Sequence, residues 1–466
     1  MRLPFKLVLA APVVLLLYLY GLTHTGLLGP DEPRYAAIGR EMAQSGDWLT
    51  PRLWGEAWFE KPALLYWLIA AGWRAGLGEE LAPRLPVALV SVGFLVFLYL
   101  WTRREWGELA ASYATAILAT SAGWLAFSRV SVTDLPLAAT SGASMLLVLP
   151  WVRCGGRRGL IAGGVLLGLA VLAKGLVPVV LAAPLLWVGR RRWRDLLMFA
   201  TAALVVALPW YVACYLQNGW VFVEVLFVQH HFGRFLEQEL QHVQPWWFYL
   251  PVLAGLMAPW IVALPAMKFA GFRDPRVQLL GLQAAWGLLF FSVSTNKLPG
   301  YVLPILPPIA VLCGIGLSKR QIPLAGTLAS LLLLVVPVAA AVLPAAVASG
   351  LRRASSAEVN PVALAVIAAA ALGVALIERR DRHWGFAAAV ASAAGAVLWL
   401  EAVALPDLDR VASARPRWHQ MERRGTTDCS DAQNRGIRYG LNYYAGRQLP
   451  ACSGLRERNH DNLDRE

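Results

Sequence analysis

The chain reads as an all-α, polytopic membrane protein with about thirteen transmembrane helices, each near the roughly 20 residues a bilayer demands. Three observations carry that reading. Of 466 residues, 58% are hydrophobic and only 15% charged, against about 25% charged in soluble domains. The mean hydropathy is +0.52. The apolar runs are long and continuous, without the short alternating segments of outer-membrane barrels. This composition excludes a soluble multidomain enzyme, a disordered chain and a disulfide scaffold.

The first run follows Met1-Arg2-Leu3-Pro4-Phe5-Lys6 and ends at Leu22. It has the shape of a signal peptide, but no small-x-small cleavage site follows, so it is expected as an uncleaved first helix. Further runs lie near 84–101, 109–127, 132–151, 159–173, 176–189, 195–216, 246–267, 276–293, 300–317, 322–348, 361–377 and 384–405. The two pieces between 159 and 189 are short and read either as two spans or as one broken element. Two Trp- and charge-rich outer segments, 23–83 and 217–245, suit helices lying at the interface. Within the first, Tyr35, Ile38 and Met42 recur at helical spacing, which predicts a helix over Asp31–Gln44. The chain thus divides into a membrane domain, 1–405, and a short polar tail, 406–466. The tail is too short for a robust core of its own and is expected as a solvated appendage.

The net charge of +13 fits cytoplasmic anchoring rather than nucleic-acid binding. Basic clusters stand at Arg2/Lys6, Arg103-Arg104, Arg153/Arg157/Arg158, Arg190-Arg191-Arg192/Arg194, Lys268/Arg273/Arg276, Lys319-Arg320 and Arg379-Arg380/Arg382. A thirteen-span path puts all of these on the side of the N-terminus, which is then cytoplasmic, and the tail outside. Arg352-Arg353 is the exception. Cys154, Cys214 and Cys313 lie in or beside apolar runs and read as inert core residues. Cys429 and Cys452 share the tail, where a disulfide is open to them outside the cytoplasm.

The same path places the chemically dense positions together at the outer face, although they are far apart in the chain. Asp31-Glu32 follows the first span. Each acid suits a helix N-cap or a carboxylate acting as base or charge stabiliser. Arg34 lies one turn on. Glu60-Lys61 reads as a solvated ion pair, or as a metal carboxylate beside a phosphate cation. Asp134 opens a span as a cap or a second acid. Lys174 interrupts an apolar stretch, so it must snorkel, pair or meet a lipid phosphate. His231 and Arg234 fall at i, i+3, where a metal ligand and a phosphate cation share a helix face. Asn296-Lys297 leads into a Pro-rich irregular span that suits a cavity lining. Several cations beside carboxylates at a bilayer surface suit an anionic, lipid-borne substrate such as a polyprenyl-phosphate sugar, whose phosphate leaves well when cations hold it.

Four groups of segments carry a family resemblance: Asp31-Glu32-Pro33-Arg34-Tyr35-Ala36 through Arg40-Glu41-Met42 and Ser45-Gly46-Asp47-Trp48; Phe59-Glu60-Lys61-Pro62; His231-Phe232-Gly233-Arg234-Phe235 with Pro245-Trp246-Trp247; and Lys297-Leu298-Pro299-Gly300-Tyr301-Val302-Leu303-Pro304. These resemble the GT-C fold glycosyltransferases that use polyprenyl-phosphate sugars, a superfamily that includes the protein O-mannosyltransferases, and most of all the bacterial lipid A aminoarabinose transferases. The resemblance implies an inverting glycosyltransferase of the bacterial inner membrane, acting at the periplasmic face. It implies Asp31, Asp134 and Glu32 as the catalytic carboxylates. Lys61, Arg34, Arg234, Lys297, Lys174 and Tyr301 would line the phosphate site, and Glu60 and His231 would bind a divalent metal (Zn or Mg/Mn). The expected partners are undecaprenyl phosphate carrying a sugar, such as 4-amino-4-deoxy-L-arabinose, and lipid A or another periplasmic lipid or glycan. The expected oligomeric state is a monomer. Relatives usually end in a larger soluble domain, of which Tyr439–Arg447 resembles only the start. The alternatives are a protein O-mannosyltransferase-like enzyme and a flippase of polyprenyl-linked glycans. A flippase calls for charges along a whole path and paired repeats, whereas here the charges gather at one face.

Overall fold

The computed structural model describes residues 5–233, 243–349 and 358–452, with backbone alone for 5–10, 230–233 and 348–349. It is a helical bundle. Helix α1 spans Phe5–Leu19 and α2 Asp31–Ser45. A two-stranded hairpin follows, β1 Arg52–Leu53 and β2 Glu56–Ala57. Then come α3 Leu64–Arg74, α4 Gly78–Trp106, α5 Glu108–Ala119, α6 Ala122–Ser128, α7 Asp134–Leu147, α8 Leu149–Cys154 and α9 Arg157–Lys174. The expected helix at Asp31 is present, and Gly46 ends it in the left-handed conformation (φ 76°) that glycine adopts without strain.

Every predicted apolar run has a helical counterpart, yet thirteen uninterrupted spans do not result. Eight described helices are long and apolar enough to cross a membrane, and two bent pairs bring the number to ten. One pair bends by 62° between α5 and α6, the other by 103° between Trp246–Met257 and Trp260–Phe269. The second bend falls at Pro259, where the missing N–H breaks the helical ladder. Helix α1 has 15 residues, and α9 carries Arg157, Arg158 and Lys174 within 18 residues. The 176–189 run breaks into Val177–Leu181 and Pro184–Gly189, each with proline in its first turn.

Small residues set the depth of packing around α9. A Cβ added at Gly164 would lie 2.3 Å from the Phe199 carbonyl, and one at Gly168 would lie 2.6 Å from the Ala203 carbonyl, both on the helix Trp193–Asn218. This is the small-x-x-x-small contact through which membrane helices approach backbone to backbone. On its other side α9 meets α7, where the Ser144 hydroxyl donates to the Gly163 carbonyl at 2.7 Å. The two contacts fix the end of α9, and with it Lys174, against the start of α7.

Charges sort to the two ends of the bundle. At one end Arg276 and Arg153 both reach Glu105, at 2.7 and 3.7 Å, and Arg157 pairs with Asp195 at 2.9 Å. The Tyr113 hydroxyl and Gln321 meet His383 there as well. Basic clusters from six separate segments thus share one end, as the charge pattern predicts. Arg352-Arg353 lies outside the described residues.

At the opposite end a buried ion pair joins several loops. Arg84, near the start of α4, donates from Nε and Nη2 to the two oxygens of Glu32, at 2.7 and 2.8 Å. Its remaining N–H groups donate to the carbonyls of Leu22, Thr25 and Gly26. Glu32 in turn accepts from the N–H groups of Leu28 and Ser131. Glu32 is 0% and Arg84 1% exposed.

The tail departs from expectation. The helix Arg382–Ala412 runs straight through residue 405. The helices Arg415–Arg424 and Arg435–Ala445 then fold back onto the bundle. Tyr443 donates to the Glu79 carbonyl at 2.6 Å, and Tyr444 to the Glu80 carboxylate at 3.1 Å. Arg415 holds the Thr23 and His24 carbonyls together with Asp409 and Glu80. The apolar face of the last described helix, with Ile437, Leu441, Tyr443 and Tyr444, is buried, so this segment is a docked part of the molecule. Cys429 and Cys452 form a disulfide.

Removing one member of a buried pair leaves an uncompensated charge. Arg84→Met is therefore expected to destabilise the purified protein by about 3–5 kcal/mol, read as a lower thermal midpoint in detergent. The double variant Glu32→Leu/Arg84→Met should lose less than the two single losses combined. An unchanged midpoint for Arg84→Met would remove the pair from its structural role.

Candidate active site

Two ionic clusters occupy the Glu32 end of the bundle. In the first, Asp31 stands in the opening turn of α2. The position before it is Pro30, and no side chain caps the helix. Asp31 instead pairs with Arg34 at 2.5 Å, its own side chain 46% exposed. Arg34 is buried and reaches Glu60 at 2.8 Å. Its guanidinium lies 5.4–5.6 Å from the rings of Tyr35, Trp58 and Tyr439. Burial works against the charge of Arg34, but Glu60, Tyr35 and Asp31 outweigh it and hold the proton more firmly than usual. Glu60 also faces the Lys61 ammonium at 3.5 Å.

The loop that delivers Glu60 is built by local turn chemistry. Asp47 accepts from the N–H groups of Leu49 and Thr50, an Asx turn. The hairpin turn holds Trp54 and Gly55 at φ 58° and 86°, as two-residue hairpins require. The Gly55 N–H donates to Glu41 at 3.0 Å and ties the hairpin to α2.

In the second cluster Asp134 opens α7, again without acting as a cap. It accepts from the Lys174 ammonium at 2.7 Å. Lys174 therefore pairs across helices instead of snorkelling. Its Nζ lies 4.5 Å from the centre of the Tyr301 ring, a cation–π distance. Tyr301 sits in the 3₁₀ segment Pro299–Ile305. A Cβ added at Gly300 would fall 2.8 Å from Asp134 Oδ1, so glycine lets this segment approach the acid. Leu64, three positions after Lys61, packs against Leu137, Ala170 and Ala173, one turn from Asp134 and one residue from Lys174. The two clusters are neighbours across this contact.

The structure therefore brings together Asp31, Arg34, Glu60 and Lys61, and beside them Asp134, Lys174 and Tyr301. Two expectations are corrected. Glu32 is no catalytic acid: it has no exposure, and Arg84, Leu28 and Ser131 occupy its oxygens. Lys297 is buried and spends its ammonium on the carbonyls of Gln244 and Ser294. It thereby fastens the short bridge Val243–Asn296 instead of facing a phosphate, and burial pulls its pKa below the usual lysine range. Arg234 and the side chain of His231 lie outside the described residues. Among the described residues no three His, Cys, Asp or Glu side chains converge as a metal site, and Glu60 faces two cations.

Sequence reasoning missed Arg84 and Tyr439. Arg84 had a signal, a lone cation between Pro83 and Pro86 at the head of an apolar run. Tyr439 had none, because its partner Arg34 is about four hundred residues away. A separate apolar groove of about 700 Å³ lies between α1, α4, α5 and the helix Arg382–Ala412. Its walls include Leu95, Val96 and Tyr99, in the half of α4 remote from Arg84, so it stands apart from the ionic clusters.

Residues 5–227 match the family model of dolichyl-phosphate-mannose-protein mannosyltransferase. An undecaprenyl phosphate-alpha-4-amino-4-deoxy-L-arabinose arabinosyl transferase of Pseudomonas aeruginosa is 39% identical over 326 residues, 66% of this chain and 58% of that protein. One from Pseudomonas fluorescens is 38% identical over 324 residues, 66% of this chain and 55% of its own. The chain thus spans little more than half the length of these curated relatives. The crystal structure of ArnT from Cupriavidus metallidurans in the apo state superposes with a TM-score of 0.73 and 25% identity, covering 97% of this chain and 90% of that one. The same protein bound to undecaprenyl phosphate gives 0.75 and 24%, with the same coverage. Arabinosyltransferase EmbB from Mycobacterium smegmatis shares the fold at 0.55 and 13% identity, over 96% of this chain and 44% of its own.

Gly300→Ala tests the close approach. Its Cβ would meet Asp134 and, at 2.7 Å, Phe127, so the expected loss is about 1–3 kcal/mol of stability, measured by thermal unfolding. A wild-type midpoint would show that the segment is not held against Asp134.

Proposed function

Since the chain belongs to the GT-C membrane glycosyltransferases that use polyprenyl-phosphate sugars, we propose that it transfers a sugar from undecaprenyl phosphate to an acceptor at the periplasmic face of a bacterial inner membrane, with inversion. The observation that carries this reading is the pairing of Asp31 with Arg34 and of Asp134 with Lys174, set side by side at the bundle end opposite the basic clusters. The relatives' names support 4-amino-4-deoxy-L-arabinose as the sugar. We propose lipid A as the acceptor. The match to the mannosyltransferase family favours a second reading, in which a protein hydroxyl accepts the sugar.

In this mechanism the bond between the sugar's anomeric carbon and the phosphate oxygen breaks, and undecaprenyl phosphate departs with the electron pair. Lys61 and Lys174, both little exposed, receive the growing negative charge, and low local dielectric strengthens that interaction. Asp134 holds the Lys174 ammonium in place. The acceptor oxygen attacks from the opposite face of the sugar. Asp31, the most exposed carboxylate of the first cluster, takes the proton of a hydroxyl acceptor; an ionised phosphate acceptor needs no base. A divalent ion, if one is bound, would be held by Glu60 and His231 and would act as a Lewis acid. No step above runs through it.

The test is transfer by the purified protein in nanodiscs, using labelled undecaprenyl-phosphate sugars and a lipid A extract. Asp31→Asn should lower kcat by about 10²–10⁴-fold with a hydroxyl acceptor. Lys174→Gln should lower it by about 10²–10³-fold with any acceptor. Equal transfer by wild type and both variants would leave an enzyme without this site. Movement of lipid-linked sugar across liposomes, without transfer, would point to a flippase. Dialysis against EDTA checks the metal separately. Unchanged activity is the result expected for the steps above; loss restored by Zn²⁺ or Mn²⁺ would establish a metal requirement, and reduced metal affinity in Glu60→Gln and His231→Gln would then give these residues the ligand role.

A further inference from the structure

We propose that a second anion site, built around Arg40 and distinct from the donor phosphate site, takes the phosphomonoester of a headgroup. Its assignment to the acceptor rests on the transfer reading; its existence does not. Arg40 lies on α2 and is 7% exposed. Among the described residues its guanidinium has no hydrogen bond or ion pair. Its contacts are ring faces: Tyr443 at 4.5 Å and Trp73 at 5.8 Å. The other buried arginines at this end are fully different, since Arg34 holds two carboxylates and Arg84 holds one carboxylate and three carbonyls. The Arg40 donors are thus unspent on the protein and open onto a cavity, where an anion can take them in place of water.

Arg40 borders a cavity of about 350 Å³ between α2, the hairpin and the end of the last helix. Gln44, Arg447 and Gln448 contribute further donors to its wall. Arg447 is half-exposed and reaches the Thr427 carbonyl and Asp428 only at 3.4 Å, long contacts that an anion can replace. Glu41 also lines the cavity, with Oε1 already accepting from the Gly55 N–H. Glu79 acts on Arg40 through space without an ion pair. Gly446, at φ 71°, closes the last helix beside the guanidinium, and a Cβ built there would stand 3.9 Å from Arg40 Nη2. The Tyr443 and Trp73 rings hold the Arg40 guanidinium in place by cation–π contact while its N–H groups stay available, and a guanidinium can bind phosphate through two parallel hydrogen bonds. The volume suits a phosphate with an attached ring, at the lower end of small-molecule sites, ~300–1,000 Å³. Arg40 lies nine residues after Asp31, roughly 13 Å along the helix axis, so the site is separate from the ionic clusters.

The experiment uses the full chain in phosphatidylcholine nanodiscs with one equivalent of undecaprenyl phosphate, which fills the donor site and leaves no surplus lipid phosphomonoester to compete with the probes. Two probes distinguish the source of the phosphate: glucose 1-phosphate by titration calorimetry, and phosphatidic acid added to the nanodisc, read by thermal midpoint. Arg40→Gln should weaken glucose 1-phosphate binding by about tenfold or more, Arg40→Lys should recover part of it, and Arg447→Gln should weaken it by a few-fold. Stabilisation by phosphatidic acid that Arg40→Gln abolishes supports a lipid headgroup. A response to glucose 1-phosphate alone supports the site with a soluble phosphate as its ligand. Equal binding by folded Arg40→Gln and wild type overturns the proposal, as does no wild-type response to either probe at millimolar concentration. If Arg40→Gln does not fold, Arg447→Gln decides in the same way. With transfer established, Arg40→Gln should raise the acceptor KM and leave kcat and the donor KM unchanged. The binding arms stand whether or not transfer is observed.

Discussion

Glu32 and Arg84 face each other with no water between them, and this end of the protein is organised around the pair. Two charges out of water are tolerable only when every donor and acceptor finds a partner. Here the guanidinium closes the connection between α1 and α2 by taking three of its carbonyls. The carboxylate reaches the other way, to the N–H of Ser131, three residues before Asp134. One interaction therefore sets both the start of α2, where Asp31 stands, and the approach to α7, where Asp134 stands. The neighbouring acids Asp31 and Glu32 divide the work: one is spent on holding position, and the other is left at the surface.

The bilayer explains why the site is at an end of the bundle. Ionisable groups within the hydrocarbon are expensive unless paired, and Asp134 and Lys174 meet that condition by pairing across two helices whose separation glycines set. The helix ends also matter. Asp31 and Asp134 both stand in first turns, where the helix dipole favours negative charge, and Lys174 ends α9, where it favours positive charge. Backbone geometry and side-chain pairing thus act in the same sense.

Much of this was legible in the sequence, for reasons tied to particular residues. The helix from Asp31 followed from Tyr35, Ile38 and Met42, because apolar periodicity is local. The grouping of Asp31, Glu60, Asp134 and Lys174 followed from topology, since basic loops orient the spans. What stayed hidden depends on distance in the chain or on which way a side chain turns. Asp31 and Glu32 look alike in sequence, and only the position of Arg84 tells them apart. Lys297 looks like a phosphate cation, but its ammonium is fastened to backbone carbonyls. The count of spans also went astray locally, because Pro178, Pro184 and Pro259 break runs whose composition alone is continuous.

The last described helix lies along α2, with Tyr439 against Arg34, Tyr443 against Arg40, and the Tyr444 hydroxyl accepting from the Leu27 N–H, 417 residues away in sequence. That arrangement imposes an order on biogenesis. A ribosome delivers α2 early, and its arginines emerge long before the rings that cover them exist. They must wait at the membrane surface while every intervening helix is inserted. The site closes only when the helix Arg435–Ala445 has been made and has docked on α2, so a partly inserted chain has an incomplete site.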